Sequence, residues 1–267
     1  MIPFVKAHAC GNDFLVIEES EARGRHVALA RTLCARNTGI GADGIEFLDR
    51  RADGSFFLRL FNADGSEAEL SGNGTRCVAA WLAANEGLNE VALGTHGGVR
   101  VCRVVERKGA EWWIESGMGV PRVMPRKIEI EGVVMDGAMV NVGNPHYVIF
   151  VESEDFSAYG MSWQELGAKI SVDPMFRFGT NVEFVKVLGE SEIAFRIFER
   201  GCGPTTSSGT GTCASSAAAM VLRGVGRSLT AVAQGGAQRV VWPEDGTEMM
   251  LTGPAEIICR GEAEWAR

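Results

Sequence analysis

Apolar positions along this chain form the same pattern twice, a short apolar run followed by a longer stretch of small residues. The runs are rich in aromatic residues and bounded by turn residues, which predicts β-strands. The stretches are rich in alanine, which predicts helices, and a glycine suited to a helix C-cap follows each. The strands are predicted at 56–61 and 193–198, the helices at 77–84 and 213–222, and the caps at Gly87 and Gly224. Because small or apolar residues surround both helices, we expect them to be buried.

A sequence motif is repeated at the start of both helices. Residues 71–75 read Ser-Gly-Asn-Gly-Thr and residues 208–212 read Ser-Gly-Thr-Gly-Thr, an offset of 137 (208 − 71). Further matches are 44–48 with 181–185 and Asn62 with Glu199 at that offset, and 11–17 with 143–149 at an offset of 132. Four matches in the same order predict a duplication into two similar halves, since solenoid repeats are far shorter. The remainder is strand-rich, with runs at 111–114 and 239–242.

Composition excludes several classes of function. The 267 residues suffice for two modest domains, and 46% hydrophobic with 22% charged residues is ordinary for a globular protein. A net charge of −8 without a basic cluster argues against a nucleic-acid surface. No segment has the pattern of a membrane span or signal peptide, so no membrane partner is predicted. Seven scattered cysteines fit reduced thiols in a cytoplasm and give no metal site.

The repeated motif places a glycine-rich turn at the start of a helix. Such an end carries unpaired backbone N–H groups and the positive end of the helix dipole, so it suits an anion, and the anion predicted here is a carboxylate. Two such ends on one carboxylate would also acidify the neighbouring α-proton. The alternative is that Ser71 and Ser208 are simple N-caps, each stabilising by about 1 kcal/mol. The paired occurrence favours a site over two caps.

The motifs together resemble the diaminopimelate epimerase family. They are residues 8–14, 39–44, 62–66, 72–77, 143–146, 179–184, 199–201 and 209–211, which cover the chain in order. The resemblance implies an α/β (α+β) fold of two pseudo-symmetric domains, each a curled, mostly antiparallel sheet around a central buried helix. It implies domains at 1–116 plus 253–267 and at 117–252, with the active site in the cleft between them. It also implies a cytoplasmic, cofactor-independent homodimer that interconverts the LL and meso forms of diaminopimelate.

The resemblance also implies the residues of the site. The catalytic positions are Ser71 and Ser208, with His146 and Glu199 close by. The substrate-binding positions are Asn12, Gly44, Asn62, Gly72, Asn73, Asn144, Asn181, Glu199, Arg200, Gly209 and Thr210. Arg200 suits a carboxylate and Glu199 an ammonium group. Gly44 stands where several family members carry a glutamine, which leaves the choice of substrate more open than the reaction class.

The chain departs from the family at its two bases, because the family has cysteine where this chain has Ser71 and Ser208. A thiol has a pKa of about 8.5, whereas the pKa of an alcohol is far higher and close to that of water. The gap corresponds to roughly 10 kcal/mol against forming the base, at about 1.36 kcal/mol per pKa unit. Cys77 and Cys213 lie inside the predicted helices, where a thiol is an inert packing residue rather than a displaced base.

Three interpretations of the double serine remain open. The serines are engineered replacements of cysteine, or the chain is a proton-transfer isomerase or dehydratase in which His146 or Glu199 activates serine. The third is an amino-acid-binding protein that has lost catalysis. The leading prediction is an amino-acid epimerase of the diaminopimelate type, weak or inactive because serine occupies both base positions.

Overall fold

The computed structural model, which describes residues 1–265, divides into two units. The first contains Met1–Ser116 and the segment from Gly253 onward, and the second contains Gly117–Thr252. The strands of the first unit are β1 (Ile2–Ala9), β2 (Asn12–Glu18), β3 (Gly44–Arg50), β4 (Phe56–Asn62), β5 (Glu67–Ala68), β6 (Glu90–Thr95), β7 (Gly98–Lys108) and β8 (Glu111–Gly117). Its helices are α1 (Glu19–Ala22), α2 (His26–Leu33) and α3 (Gly72–Glu86).

The second unit has a similar set of elements. Its strands are β9 (Arg122–Pro125), β10 (Ile128–Ile130), β11 (Val133–Met135), β12 (Ala138–Asn141), β13 (Pro145–Phe150), β14 (Asn181–Gly189), β15 (Glu192–Glu199), β16 (Gly203–Thr205), β17 (Ser228–Ala233) and β18 (Gly236–Val241). Its helices are α4 (Trp163–Ser171) and α5 (Gly209–Leu222). The last strand, β19 (Met250–Ala263), begins in the second unit and continues into the first.

The order of strand pairings is the same in both units. In the first, β1 pairs antiparallel with β2, β2 parallel with β3, β3 antiparallel with β4, and β4 parallel with β6. In the second, β12, β13, β14, β15 and β17 pair in the same sequence and directions. The short strands β5 and β16 pair antiparallel with β4 and β15. The predicted duplication and the predicted mixed, mostly antiparallel fold are therefore confirmed.

The two alanine-rich helices form the centre of their units. Eleven residues of α3 are buried, and α5 buries its small residues on every side. Both helices are longer than the predicted 77–84 and 213–222, because they begin directly after the repeated serines. Gly87 caps α3 with a left-handed φ of 70°, as predicted. In α5 the C-cap is Arg223, and the left-handed Gly224 follows it by one residue.

Packing around the helices agrees with their composition. In the first unit α3 contributes Val78 and Leu82 to one cluster and Cys77 and Ala80 to another, and in the second α5 contributes Cys213 and Ala217. Cys77 and Cys213 are fully buried, which confirms them as packing residues. Among the helices of residues 1–265, none combines the length and apolarity that a membrane-spanning helix needs.

Candidate active site

The N-terminus of α3 carries the first repeated serine. Ser71 is the N-cap residue, with extended backbone, and its Oγ accepts a hydrogen bond of 3.0 Å from the N–H of Gly74. Gly72 and Asn73 form the first turn, whose N–H groups have no partner inside the helix. Within residues 1–265, no His or carboxylate side chain forms a hydrogen bond with the Ser71 hydroxyl.

Two asparagines expected in the site lie together at this helix end. Asn73 Nδ2 donates to Asn12 Oδ1 over 3.1 Å, and Asn12 Nδ2 donates to Asp43 Oδ2 over 2.6 Å. The fully buried Arg76 donates to Asn73 Oδ1 from the next turn of α3. The amide of Asn12 is therefore oriented by the Asp43 carboxylate, so that its oxygen is directed towards α3.

A group of charges supports Asp43 and its neighbour Asp13. Arg36 lies 2.6 Å from Asp43 Oδ1 and 2.9 Å from Asp13 Oδ1, and Lys6 lies 3.0 Å from Asp13 Oδ2. Burial acts to raise the pKa of the Asp13 carboxyl, but the hydrogen bonds from Arg36 and Lys6 hold it below its usual range. The Asp13 carboxyl is thus held as an anion, and Arg36 fixes the position of the Asp43 carboxyl that accepts from Asn12.

A buried carboxyl lies against the first turn of α3. Glu46 is on β3, 1% exposed, and its Oε1 has no hydrogen-bond partner within residues 1–265. A Cβ atom added to Gly74 would lie 1.9 Å from Glu46 Oε1, so the carboxyl contacts this glycine directly. Burial raises the pKa of Glu46 to about 8, because no charged partner compensates for the lost water.

The contact between Gly74 and Glu46 gives a stability prediction. Gly74→Ala is expected to lower the free energy of unfolding by about 1–3 kcal/mol, because the added methyl group overlaps a buried side chain. Gly189→Ala is the matched control, since nothing lies within 4 Å of its added Cβ. Urea unfolding of both variants measures the difference. Equal stability of the two variants would show that Glu46 moves away at no cost.

The other two expected positions of the first unit are paired on neighbouring strands. Gly44 opens β3 and lies opposite Asn62 at the end of β4. Asn62 is exposed, and its Nδ2 donates to Ser66 Oγ over 3.0 Å. A Cβ on Gly44 would lie 2.8 Å from the carbonyl oxygen of Phe61, so this backbone leaves no room for a side chain there.

The N-terminus of α5 carries the second repeated serine. Ser208 is the N-cap, and its Oγ accepts a 3.2 Å hydrogen bond from the N–H of Gly211. Its hydroxyl also lies 3.4 Å from the hydroxyl of Thr210, which follows Gly209 in the first turn. Ser208 is 9% exposed, whereas Ser71 is half-buried. The two repeated serines are therefore both N-caps, and each accepts from the N–H of the glycine three residues later.

A series of hydrogen bonds connects the Ser208 end of α5 with the interior of the second unit. Asn144 Nδ2 donates to Thr210 Oγ1 over 3.4 Å, and Asn144 Oδ1 lies 2.9 Å from His146 Nε2. His146 Nδ1 lies 2.6 Å from Glu183 Oε1, and both of these side chains are fully buried. Burial raises the pKa of Glu183, and the neighbouring His146 partly opposes the shift.

Three further expected residues form a second group in this unit. Asn181 donates from Nδ2 to the Pro145 carbonyl over 3.1 Å and accepts from the Arg200 N–H over 3.0 Å. Arg200 is exposed and donates from its guanidinium to the Phe178 carbonyl over 3.2 Å. The hydroxyl of Thr205 donates to Glu199. Burial raises the pKa of Glu199 despite that hydrogen bond.

The structure therefore brings some of the predicted residues together at the helix end of each unit, whereas Asn62, Asn181, Glu199 and Arg200 form their hydrogen bonds elsewhere. Asn12 and Asn73 meet at α3, and Asn144, His146 and Thr210 meet at α5. His146 and Glu199 form their hydrogen bonds with Asn144, Glu183 and Thr205, and neither bonds to a serine hydroxyl in residues 1–265.

Sequence reasoning missed Glu46 and Glu183 as parts of the site. They occupy the same position of the repeat, 137 residues apart (183 − 46), and each lies beside the third residue of a central helix. The available signal was a charged residue inside an otherwise apolar strand, at matched positions in both halves. An unpaired or singly paired carboxyl in such a strand is costly, which points to a role at the adjacent helix end.

Each helix end can hold an anion. The backbone N–H groups of Gly72 and Asn73 in one unit, and of Gly209 and Thr210 in the other, open the helices without intrahelical partners. Within residues 1–265, no group of three or more His, Cys, Asp or Glu side chains is placed to hold a metal ion.

Comparison with known proteins gives a family match. A family model described as Diaminopimelate epimerase matches residues 4–124 and 138–258. A diaminopimelate epimerase of Pelotomaculum thermopropionicum is 36% identical, with 97% of this chain and 98% of the relative covered. A diaminopimelate epimerase of Corynebacterium glutamicum is 37% identical, with 98% of each covered.

Solved structures share the fold at low sequence identity. A phenazine biosynthesis protein of the PhzF family from Bacillus anthracis has a TM-score of 0.76 and 15% identity over 99% of both chains. A probable proline racemase from Agrobacterium radiobacter has a TM-score of 0.73 and 16% identity over 100% of this chain and 94% of its own. A hydroxyproline epimerase from Agrobacterium vitis has a TM-score of 0.71 and 14% identity over 98% and 90%.

Proposed function

Since this chain belongs to the diaminopimelate epimerase family, we propose that it is an amino-acid isomerase acting on diaminopimelate or a close analogue. The observation that carries the proposal is the matched pair of serine-capped helix ends, at α3 and α5. Each offers backbone N–H groups to a carboxylate at the positive end of a helix dipole. A carboxylate held in this way makes the neighbouring α-proton easier to remove, because the developing enolate charge is stabilised.

Inversion at the α-carbon needs two groups, one to remove a proton from one face and one to return a proton to the other. The proposal assigns Ser71 to one face and Ser208 to the other. This assignment is supported by their matching N-cap hydrogen bonds, since each oxygen accepts the N–H of the residue three positions later. Those N–H groups would stabilise an alkoxide while it forms, although an alcohol remains a far weaker acid than a thiol.

Turnover is expected to be slow in this chain. A serine base needs an adjacent histidine or carboxylate to accept its proton. His146 is already bonded at both ring nitrogens, and Glu199 accepts from Thr205. Much of the roughly 10 kcal/mol deficit of an alcohol relative to a thiol therefore remains uncompensated.

Binding without turnover is the second candidate function, and the same geometry favours it. The asparagine hydrogen bonds and the two helix ends support ligand binding, while the bases are weak. The dehydratase interpretation has less support, because no serine hydroxyl is bonded to His146 or Glu199 within residues 1–265. Slow isomerisation and binding without turnover therefore differ in the chemistry that follows binding and not in the ligand.

Calorimetry and isotope exchange test the proposal on the unmodified chain. We expect LL-diaminopimelate to bind, and its Cα–H signal to disappear from the proton NMR spectrum in D2O over hours to days. L-Lysine, which lacks the second carboxylate, is the control and is expected to bind at least tenfold more weakly. Absence of both binding and exchange with diaminopimelate would overturn the proposal, and binding without exchange would select the second candidate.

A further inference from the structure

Glu183 is a buried carboxyl that the proposed proton transfer leaves without a role. It lies on β14 with no exposed side-chain surface, and its Oε1 is 2.6 Å from His146 Nδ1. Its Oε2 has no hydrogen-bond partner within residues 1–265. A Cβ added to Gly211 would lie 3.1 Å from Glu183 Oε1 and 3.3 Å from Ser208 Cβ, so the carboxyl adjoins the first turn of α5. A carboxyl that is buried beside a helix end and singly paired needs a physical explanation.

The partners of His146 determine which ring nitrogen carries a proton. Asn144 directs its Nδ2 to Thr210 Oγ1, so its Oδ1 is the atom that lies 2.9 Å from His146 Nε2. A carbonyl oxygen only accepts, and Nε2 must therefore carry a proton. Glu183 and Nδ1 then share a second proton, either as carboxylic acid with neutral imidazole or as carboxylate with imidazolium. If the Glu183–His146 pair held a single proton, on Nδ1, then the unprotonated Nε2 would face the Asn144 oxygen, and two acceptors would meet without a hydrogen.

The corresponding asparagine of the first unit has the opposite orientation. Asn12 donates from Nδ2 to Asp43 and directs its Oδ1 towards Asn73 of α3. Asn144 directs its Nδ2 towards Thr210 of α5 instead. The difference follows from the neighbouring side chain. The amide of Asn12 meets an acceptor, the Asp43 carboxylate, whereas the amide of Asn144 meets a donor, the protonated Nε2 of His146. The N-terminus of α3 thus faces an acceptor, the Asn12 oxygen, and the N-terminus of α5 faces a donor, the Asn144 N–H2 group.

We propose that Glu183 is a positioning residue, which holds His146 with its Nε2–H towards Asn144 and thereby directs the Asn144 N–H2 group towards α5 and the bound substrate. The role of Asn144 as a substrate contact rests on the proposed function. The protonation state of His146 does not, because it belongs to the ligand-free protein. In the first unit, Phe14 takes the place of His146 in the strand register, and Glu46 takes the place of Glu183. The carboxyl–histidine pair therefore occurs in the second unit and not at the matching position of the first.

The first test is the protonation of His146 in the ligand-free protein. The chain contains four histidines, so ¹⁵N-histidine labelling gives few signals, and His146→Phe identifies the relevant pair. At neutral pH we expect the Nε2 signal of His146 in the range of a protonated nitrogen, coupled to its hydrogen. An unprotonated Nε2 would overturn the proposal, whatever the protein binds.

The second test measures the dissociation constant of LL-diaminopimelate by calorimetry. Glu183→Met removes the partner of Nδ1 and is expected to weaken binding about tenfold, the effect of one hydrogen bond. Glu183→Gln is expected to stay within twofold of the unmodified protein, because its amide N–H donates to Nδ1 as the acid O–H does. Lys186→Met is the matched control on the same strand, since Lys186 pairs with Glu154 rather than with His146, and is expected to leave the affinity unchanged.

A double variant separates positioning from a general loss of structure. In an Asn144→Ala background, Glu183→Met is expected to have no further effect on binding, since the amide that it directs is gone. Full additivity of the two changes, or equal losses in Glu183→Gln and Glu183→Met, would overturn the proposal. If Glu183→Met fails to fold, the NMR test and Glu183→Gln still decide it. If the unmodified protein binds no diaminopimelate, the proposed function fails and the NMR result alone decides the role of Glu183.

Discussion

Replacing Ser71 and Ser208 together by cysteine is expected to raise the rate of α-proton exchange on LL-diaminopimelate by about 10⁴-fold or more, since each well-placed general base contributes roughly 10²–10⁴-fold and both bases are replaced. Both side chains already sit at helix N-caps, where each oxygen accepts a backbone N–H. A sulfur atom there would gain from the same N–H group and the helix dipole, which favour the thiolate. Proton NMR in D2O, following loss of the Cα–H signal, measures the rate.

The two single variants are the controls for this result. If the serines act on opposite faces of one carbon, a single cysteine supplies one competent base and one weak partner. We therefore expect each single variant to exchange the α-proton faster than the unmodified chain but to produce the other stereoisomer far more slowly than the double variant. A double variant that binds diaminopimelate but exchanges no faster than the unmodified chain would contradict the assignment of both serines.

Glu46 is expected to make the protein less stable as the pH rises from about 4.3 to about 8. Its pKa is raised to about 8 by burial, whereas in the unfolded chain it returns to about 4.3. Between these values the unfolded state binds fewer protons than the folded state, so the free energy of unfolding falls with increasing pH. The full effect is up to about 5 kcal/mol, at about 1.36 kcal/mol per pKa unit.

Urea unfolding at pH 5 and pH 8 measures this effect, with Glu46→Gln as the comparison. Glutamine keeps the size of the side chain and does not titrate, so the variant is expected to lose several kcal/mol less than the unmodified protein between the two pH values. Glu183 and Glu199 have pKa values raised in the same direction and remain in both proteins, so the difference isolates Glu46. Parallel pH profiles would show that Glu46 is not held as a neutral acid.

The sequence predicted the parts of the fold that depend on local pattern. The apolar runs at 56–61 and 193–198 form β4 and β15, and the alanine-rich stretches form most of α3 and α5. These segments were predictable because composition and period agree with burial. The one-residue shift at Gly224 follows from the final turn of α5, which ends at Arg223 rather than at the glycine.

The contacts of the site were less predictable than its residues. Asn12, Asn73, Asn144 and Thr210 could be identified from motifs, but the opposite orientations of the Asn12 and Asn144 amides depend on Asp43 and His146 beneath them. The Asn12–Asp43 hydrogen bond joins residues 31 positions apart, and the His146–Glu183 bond that orients His146 joins residues 37 positions apart on neighbouring strands, so no local pattern encodes them. Glu183 was visible only as a charge in an apolar strand.

The proton balance of the reaction in D2O tests the central claim most directly. The double cysteine variant is incubated with LL-diaminopimelate, and deuterium at Cα is measured by NMR in the product and in recovered substrate at low conversion. Two bases on opposite faces predict one deuteron at the inverted centre of the product and almost none in recovered substrate. Equal labelling of substrate and product would show that a single base serves both faces.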